Sequence, residues 1–321
     1  MNDLLSLLEE RLQKIPLGAQ PNNLYDPIKY LLSLGGKRLR PMLVLLGYGL
    51  KKSDPENILD QALAVEVFHN FTLMHDDIMD EAPIRRGMPT VHEKWNNTVA
   101  ILSGDTMMVK AYDLLLKTDS NLLPQAIKKF NTCAIEVCEG QQWDMNYESE
   151  SVVTEDEYIE MIRLKTAVLL GFSLEYGGLL AGMNENEQQQ LQQIGEKAGI
   201  GFQLMDDLLD VYGDKAKFGK QAGGDIISNK KTYLLIKALE LANPSQLEHL
   251  NKWLTMSEFD NAEKVDAVKA IYEEIGIQEL TKVKMNGYYD QAFSLLEKLD
   301  VNAHGKDRLV SFFKSLMKRD S

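Results

Sequence analysis

Apolar residues recur along this chain at intervals of three and four, the spacing that gives a helix one dry face. Asp3-Leu4-Leu5-Ser6-Leu7-Leu8-Glu9-Glu10-Arg11-Leu12 is amphipathic and carries an acid in its first turn, as a helix start favours. The pattern over Leu24–Leu34 stops at Gly35-Gly36. Pro41 then opens a second apolar stretch, Met42–Leu50, in the first turn where proline is tolerated. The same period predicts helices over 56–80, 97–117, 121–145, 155–182, 185–212, 231–241, 245–254, 261–275, 277–298 and 304–318. Alternating β-branched runs are scarce, no solenoid-length repeat is evident, and no Pro- or Ser-rich linker divides the chain. The expected architecture is all-α, with residues 1–321 as one domain around a helical-bundle core.

Two stretches depart from the pattern. Gly213-Asp214-Lys215-Ala216-Lys217-Phe218-Gly219-Lys220-Gln221-Ala222-Gly223-Gly224-Asp225 is rich in Gly and Lys and follows an acidic motif directly. That position favours a mobile lid whose lysines meet phosphate over a plain solvated loop. Thr166–Met183 carries Glu175 as its one charge, together with four glycines. It is short for a membrane span, so a buried core helix is expected, its glycines permitting close helix contact.

Composition narrows the function. At 321 residues and 44% hydrophobic, the chain is long enough and apolar enough to bury a large core. Its net charge of −13 argues against nucleic acid as a partner. An anionic small molecule remains compatible if metals and a local basic pocket reverse the sign. Cys133 and Cys138 are the only cysteines and are poorly spaced to bridge, which points to a reducing, cytoplasmic compartment. The first residues, Met1-Asn2-Asp3-Leu4, lack the basic start of a signal peptide.

The chemistry lies in two similar acidic clusters, Asp76-Asp77-Ile78-Met79-Asp80 and Asp206-Asp207-Leu208-Leu209-Asp210, each closing an apolar run. Like charges at i and i+4 repel on a plain helix, and carboxylates rarely bury unpaired. A divalent cation resolves the conflict. Positions i and i+4 project from one helix face, so Asp76 with Asp80, and Asp206 with Asp210, can share a metal. All-carboxylate ligands favour Mg²⁺ over zinc or copper. Cations are scarce but cluster nearby: Lys37, Arg38 and Arg40 between a helix stop and a helix start, and Arg85-Arg86-Gly87 after the first acidic motif. Beside metal-binding carboxylates this combination reads as a diphosphate site.

These motifs, in this order, resemble the trans-type (head-to-tail) isoprenyl diphosphate synthases of the polyprenyl synthetase family. The resemblance runs from Gly35 to at least Tyr233. It rests on Gly-Gly-Lys-Arg-Leu-Arg-Pro at 35–41, the first Asp motif with Arg85-Arg86-Gly87, Gly140-Gln141-Gln142-Trp143-Asp144, Lys165-Thr166, Phe202-Gln203 with the second Asp motif, and Gly219-Lys220 with Asp225 and Lys230. It implies a bundle with a central active-site cavity. Asp76 and Asp80 would bind two Mg²⁺ ions and Asp206 a third, with Mn²⁺ as an alternative metal. Asp77, Asp207 and Asp210 would be auxiliary ligands or orient metal-bound water. Arg85, Lys165, Lys220 and Lys230 would hold the diphosphate of the allylic substrate (dimethylallyl, geranyl or farnesyl diphosphate). Gly36, Lys37, Arg40, His69 and Arg86 would hold isopentenyl diphosphate. Thr166, Gln203 and Phe202 would line the path between the two, and Gln141 and Asp144 would support it. The implied reaction ionises the allylic C–O bond, lets the isopentenyl double bond attack the cation, and loses a proton. No dedicated general base is evident, and the released diphosphate is the expected acceptor. Family members are commonly homodimers.

Product length is expected from the residues before Asp76. Phe71 lies five positions before it and Thr72 four. One aromatic, at the first of these places, with no insertion in the first motif, resembles the geranylgeranyl (C20) pattern; farnesyl (C15) is the alternative. Phe71 also reads as an ordinary core aromatic. A class I terpene cyclase would share the fold and the first motif, and a non-catalytic partner subunit would share the family. The second Asp motif with Lys37, Arg40 and Arg86 argues against the cyclase, and two intact Asp motifs against the subunit. His75-Asp76 can mark metal phosphohydrolases, but His92, His249 and His304 show no matching spacing.

Overall fold

The computed structural model describes residues 2–213 and 223–318. The expected lid falls largely on 214–222, so Lys220 and its neighbouring lysines lie outside the described residues. In chain order the helices are α1 (Asn2–Leu12), α2 (Asn22–Ser33), α3 (Leu39–Tyr48), α4 (Leu59–Met79), α5 (Val91–Lys94), α6 (Asn97–Leu115), α7 (Leu123–Ser149), α8 (Glu155–Ile162) and α9 (Val168–Leu180). Then come α10 (Glu185–Tyr212), α11 (Gly224–Ile227), α12 (Tyr233–Leu241), α13 (Pro244–Thr255), α14 (Asn261–Ile275), α15 (Ile277–Glu297) and α16 (Ala303–Met317). Among the described residues the only strands are Ile84–Arg85 and Met88–Pro89, a small antiparallel hairpin. The all-α expectation holds.

Local chemistry sets several helix starts. Asn96 accepts from the Val99 amide at 2.9 Å and starts α6. Thr154 and Glu157 form a reciprocal capping box ahead of α8, as Asn243 and Gln246 do ahead of α13. Replacing Asn96 with Ala is expected to cost about 1 kcal/mol of stability. A lower denaturant midpoint at unchanged slope would report it; an unmoved midpoint would remove the cap from the account.

The chain divides into two compact units whose boundaries fall inside long helices: 1–134, 169–195 and 295–311 form one, and 135–168, 196–294 and 312–321 the other. The first unit is built on α4 lying along α6, with α2 and α3 against them. Close helix approach there depends on glycine. A Cβ on Gly177 of α9 would stand 2.2 Å from the Val44 carbonyl of α3, and one on Gly47 would stand 2.5 Å from the Leu174 carbonyl. Glu175, the charge inside the apolar stretch, is buried and accepts from Lys129 Nζ at 2.6 Å. No helix among the described residues is long and apolar enough to cross a membrane.

The second unit has its own apolar cluster, in which Leu208, Val211, Leu234, Leu250, Val268, Tyr272 and Ile277 are buried together. The helix expected over 155–182 is interrupted here. Residues Arg163–Ala167 form a π turn, closed by the Val168 amide donating to the Arg163 carbonyl five residues back. Lys165 and Thr166 sit in that turn.

Candidate active site

In the first unit, both ends of the Gly35–Arg40 loop need unusual backbone. Gly35, Gly36 and Arg38 have φ of 78°, 144° and 49°. The positive φ of Gly36 favours glycine, and a Cβ there would lie 2.9 Å from the end of the Arg86 side chain, which would have to shift. The three cations of this loop do not act together. Arg38 is 3% exposed and donates to Glu9 Oε1 at 2.8 Å, Glu66 Oε1 at 2.7 Å and the Leu32 carbonyl at 3.1 Å. It is a structural cation that ties the loop to α1, α2 and α4, which leaves Lys37 and Arg40 as the loop's candidates for an anion. Arg40 lies 2.9 Å from His69 Nε2. Arginine has no acceptor, so this His nitrogen accepts and Nδ1 carries the proton. Burial, with Arg40 and Arg85 close by, holds the His69 pKa well below its ordinary value. His69 is therefore a neutral donor at physiological pH.

The first acidic motif forms the last turn of α4, with Asp80 as the cap. The Asp80 amide donates to the Asp76 carbonyl at 2.9 Å, which puts the two residues one turn apart. A helix C-terminus carries partial negative charge, so three carboxylates there are unfavourable by about 0.3–1 kcal/mol each unless a cation joins them. Asp77 alone is deeply buried and is gripped by Arg85, whose Nε lies 2.9 and 2.8 Å from the two carboxylate oxygens. Asp76 is half-buried and Asp80 exposed. Arg85 ends the first strand of the hairpin, and the turn residues Arg86 and Gly87 have φ of 53° and 76°, the sign a two-residue hairpin turn demands. Arg86 donates to the Gly35 carbonyl. The expectation that Arg85 grips substrate thus meets a guanidinium already engaged by Asp77.

One turn before the first motif, Phe71 is half-buried, its ring 4.8 Å from His75 and 5.7 Å from Phe68. Phe68 leads to Phe130 at 5.0 Å and on to Phe172 at 5.7 Å, so Phe71 ends a run of touching rings. The Thr72 hydroxyl donates to the His69 carbonyl at 2.8 Å. His75 lies across α6, where a Cβ on Gly104 would stand 2.2 Å from its Nε2. That nitrogen is 3.2 Å from the Ile101 carbonyl, a helix-contact role in place of a metal ligand.

The second unit repeats the logic with different partners. Asp206, Asp207 and Asp210 lie near the C-terminus of α10. Again the middle carboxylate is buried, 5% exposed, while its neighbours are half-buried. Asp207 accepts from the Tyr158 hydroxyl and from Gln203 Nε2 at 3.1 Å. Burial, together with the charge of Asp225, pushes its carboxyl up to about 7 against those donors and Lys230. Asp210 accepts from the Asp225 amide at 3.0 Å and, through its carbonyl, from the Gly223 amide at 2.7 Å.

The π turn places the remaining groups. Lys165 Nζ donates to Asp144 at 2.6 Å, and Lys230 Nζ lies 3.5 Å from the same carboxylate. Burial alone would raise the Asp144 carboxyl, but Lys230 and Lys165 hold it below its ordinary value. Thr166 donates to Gln203 Oε1 at 3.0 Å. Phe202 is buried, and the buried Gln141 side-chain nitrogen has no protein hydrogen-bond partner among the described residues. Sequence reasoning counted Arg38 among the anion-site cations and passed over two other residues that hold this framework, Tyr158 and the buried Lys264. Lys264 donates to the Ile227 carbonyl at 3.1 Å and to Asn229 Oδ1 at 2.6 Å, pinning the turn between Asp225 and Lys230. No residue-type signal marks any of them; each stands out only by its burial.

No three acidic, His or Cys side chains among the described residues converge as a closed cation cage. Mg²⁺ keeps several waters and takes one or two protein carboxylates plus substrate phosphates. The carboxylate-only donors, at the negative ends of two helices, fit such an ion.

The polyprenyl synthetase family model matches residues 21–275. The chain belongs to the polyprenyl synthetase family. A geranylgeranyl pyrophosphate synthase from Geoglobus acetivorans is 36% identical over 322 residues, covering 100% of this chain and 98% of that protein. A crystal structure of a geranylgeranyl pyrophosphate synthase superposes with a TM-score of 0.95 at 41% identity, covering 100% of this chain and 99% of that one. A polyprenyl synthase from Caulobacter crescentus, solved with calcium and isoprenyl diphosphate, gives 0.89 at 26% identity, with 100% and 95% covered. Members of the family are prenyltransferases that use Mg²⁺ and take isopentenyl and allylic diphosphates as substrates.

Proposed function

We propose that this chain is a short-chain trans-prenyltransferase condensing isopentenyl diphosphate with allylic diphosphates to geranylgeranyl diphosphate. The observation that carries the reading is the repeated acidic motif at two helix C-termini, each with its middle carboxylate anchored inward by Arg85 or Tyr158. Asp76 and Asp80, and Asp206 and Asp210, would meet the cations. Three Mg²⁺ ions would be held, two by Asp76 and Asp80 and one by Asp206. Bound Mg²⁺ supplies Lewis-acid stabilisation of the charge on the departing diphosphate. Lys165 and Lys230, now sharing Asp144, are placed to turn to allylic diphosphate oxygens as that charge develops. Lys37 and Arg40, with the neutral His69 donating, would hold isopentenyl diphosphate, and Thr166 and Gln203 would line the path of the allyl cation. Lys220 would join from the loop. The released diphosphate takes the proton.

A cytoplasmic homodimer completes the reading. The exposed apolar side chains Ile101, Leu102 and Val109 of α6 support the dimer. Phe71 would set the tunnel floor. Phe71→Ala is expected to lengthen the main product by at least one isoprene unit, read by chromatography of the dephosphorylated alcohols. An unchanged profile would remove Phe71 as the floor.

The deciding experiment supplies purified protein with Mg²⁺, isopentenyl diphosphate and dimethylallyl, geranyl or farnesyl diphosphate. A metal-dependent C20 alcohol is the expected result. A C15 alcohol would keep the enzyme and overturn the length. Cyclic hydrocarbons, or no elongation from any primer, would overturn the reading in favour of a cyclase or a non-catalytic subunit.

A further inference from the structure

We infer that Tyr158 is a positioning residue for the second acidic motif: its phenol, donating to Asp207, fixes the roll of α10 so that Asp206 and Asp210 present one face to metal. The inference rests on the metal-dependent reading above. Tyr158 is 1% exposed, in the middle of α8, and its hydroxyl meets a carboxylate that is itself 5% exposed. Two buried groups that meet this way restrict one another strongly, because each would be left unsatisfied by a small rotation.

Rotation is what matters here. Successive helical residues differ by about 100° around the axis, so setting the direction of one side chain sets those of its neighbours. Asp207 is held from a second helix by Tyr158 and within its own helix by Gln203. Thr166 on Gln203 and the Asp225 amide on Asp210 also tie α10 to its surroundings, and Tyr158 is the outside group that meets Asp207 itself. With Asp207 turned inward, Asp206 and Asp210 lie on a shared, more open face. The first motif shows the same device with another anchor, Asp77 on Arg85. There the anchor carries charge and cancels that of the aspartate. A phenol brings no cation to the motif, so the second anchor sets direction by hydrogen bonding alone.

The test uses Tyr158→Phe in the full chain, which removes one oxygen and keeps the ring. Mn²⁺ binding is followed by electron paramagnetic resonance in the presence of inorganic pyrophosphate, beside steady-state kinetics with Mg²⁺. Mn²⁺ affinity is expected to fall about tenfold, the usual effect of losing a group that orients a ligand. kcat should fall with it, while KM for isopentenyl diphosphate stays put. Adding Asp207→Asn to Tyr158→Phe should weaken Mn²⁺ no further than Asp207→Asn alone, since the phenol acts only through that carboxylate. Wild-type Mn²⁺ affinity in Tyr158→Phe, or losses that multiply in the double variant, would overturn the proposal. Should Tyr158→Phe fail to fold, Tyr158→Met is measured in its place: wild-type affinity overturns the proposal and a tenfold loss that Asp207→Asn does not deepen supports it. The metal measurement needs no turnover, so it judges Tyr158 even if the wild-type chain elongated no primer, an outcome that would remove only the prenyltransferase reading.

Discussion

Asp76→Ala is expected to lower kcat about a thousandfold while leaving the metal-free protein as stable as before, or slightly more so. Groups aimed at charge that appears only in the transition state contribute about 4 kcal/mol each, which at about 1.4 kcal/mol per factor of ten is about a thousandfold in rate. The stability half follows from position. Asp76 lies in the last turn of α4, where a carboxylate opposes the helix dipole. Removing it should return about 0.3–1 kcal/mol to the apo protein. Activity and stability therefore move in opposite directions, a pattern that general disruption of the fold would not produce. Kinetics with a Mg²⁺ titration and thermal unfolding in chelator check the two halves. Near wild-type kcat would remove Asp76 as a metal ligand; a fall in stability of several kcal/mol would recast it as a structural group.

Gly140→Ala is expected to lower kcat about a hundredfold by pushing on the backbone of the π turn. A Cβ at Gly140 would lie 2.2 Å from the Lys165 amide nitrogen and 2.6 Å from its Cα, backbone atoms of the π turn. On the other side of that turn, a Cβ at Gly199 of α10 would lie 2.6 Å from the Ala167 Cα. The turn is thus held between two glycine faces and has nowhere to retreat. Overpacking of this kind costs about 1–3 kcal/mol in stability, and a displacement of about 1 Å in reacting groups costs about a hundredfold in rate. Gly287→Ala in α15 is the control, because nothing lies within 4 Å of its Cβ. It should stabilise the protein by about 0.5–1 kcal/mol and leave kcat alone. Equal kinetic effects of the two substitutions would refute the clamp.

Much of this architecture could be read from the chain before any coordinates. The periodicity of apolar positions placed most helices to within a few residues, because packing against a core enforces that period. The two Asp motifs stood out because acids at i, i+1 and i+4 after an apolar run conflict with an ordinary helix. Direction around each helix was less legible. Lys37, Arg38 and Arg40 look alike in sequence, yet a positive φ at Arg38 turns that one into a buried pair of ion bridges. Asp77 and Asp207 read as peers of their neighbours but turn inward onto Arg85 and Tyr158. The π turn left no signal at all. Arg163-Leu164-Lys165-Thr166-Ala167 is composed of residues that an α-helix accepts, and the turn is marked only by the close backbone contacts at Gly140 and Gly199. Gly140 could be seen in a motif, but its reason could not, because that reason is the backbone of another helix.

The widened turn has a bearing on how such a chain can change over generations. One residue fewer between Arg163 and Ala167 would let the backbone recover the regular ladder of amide-to-carbonyl bonds four residues apart. The shortened helix would carry Lys165 and Thr166 on altered bearings. A lineage that straightened this helix would also have to repack it against Gly140 and Gly199, so the packing and the chemistry would be lost together.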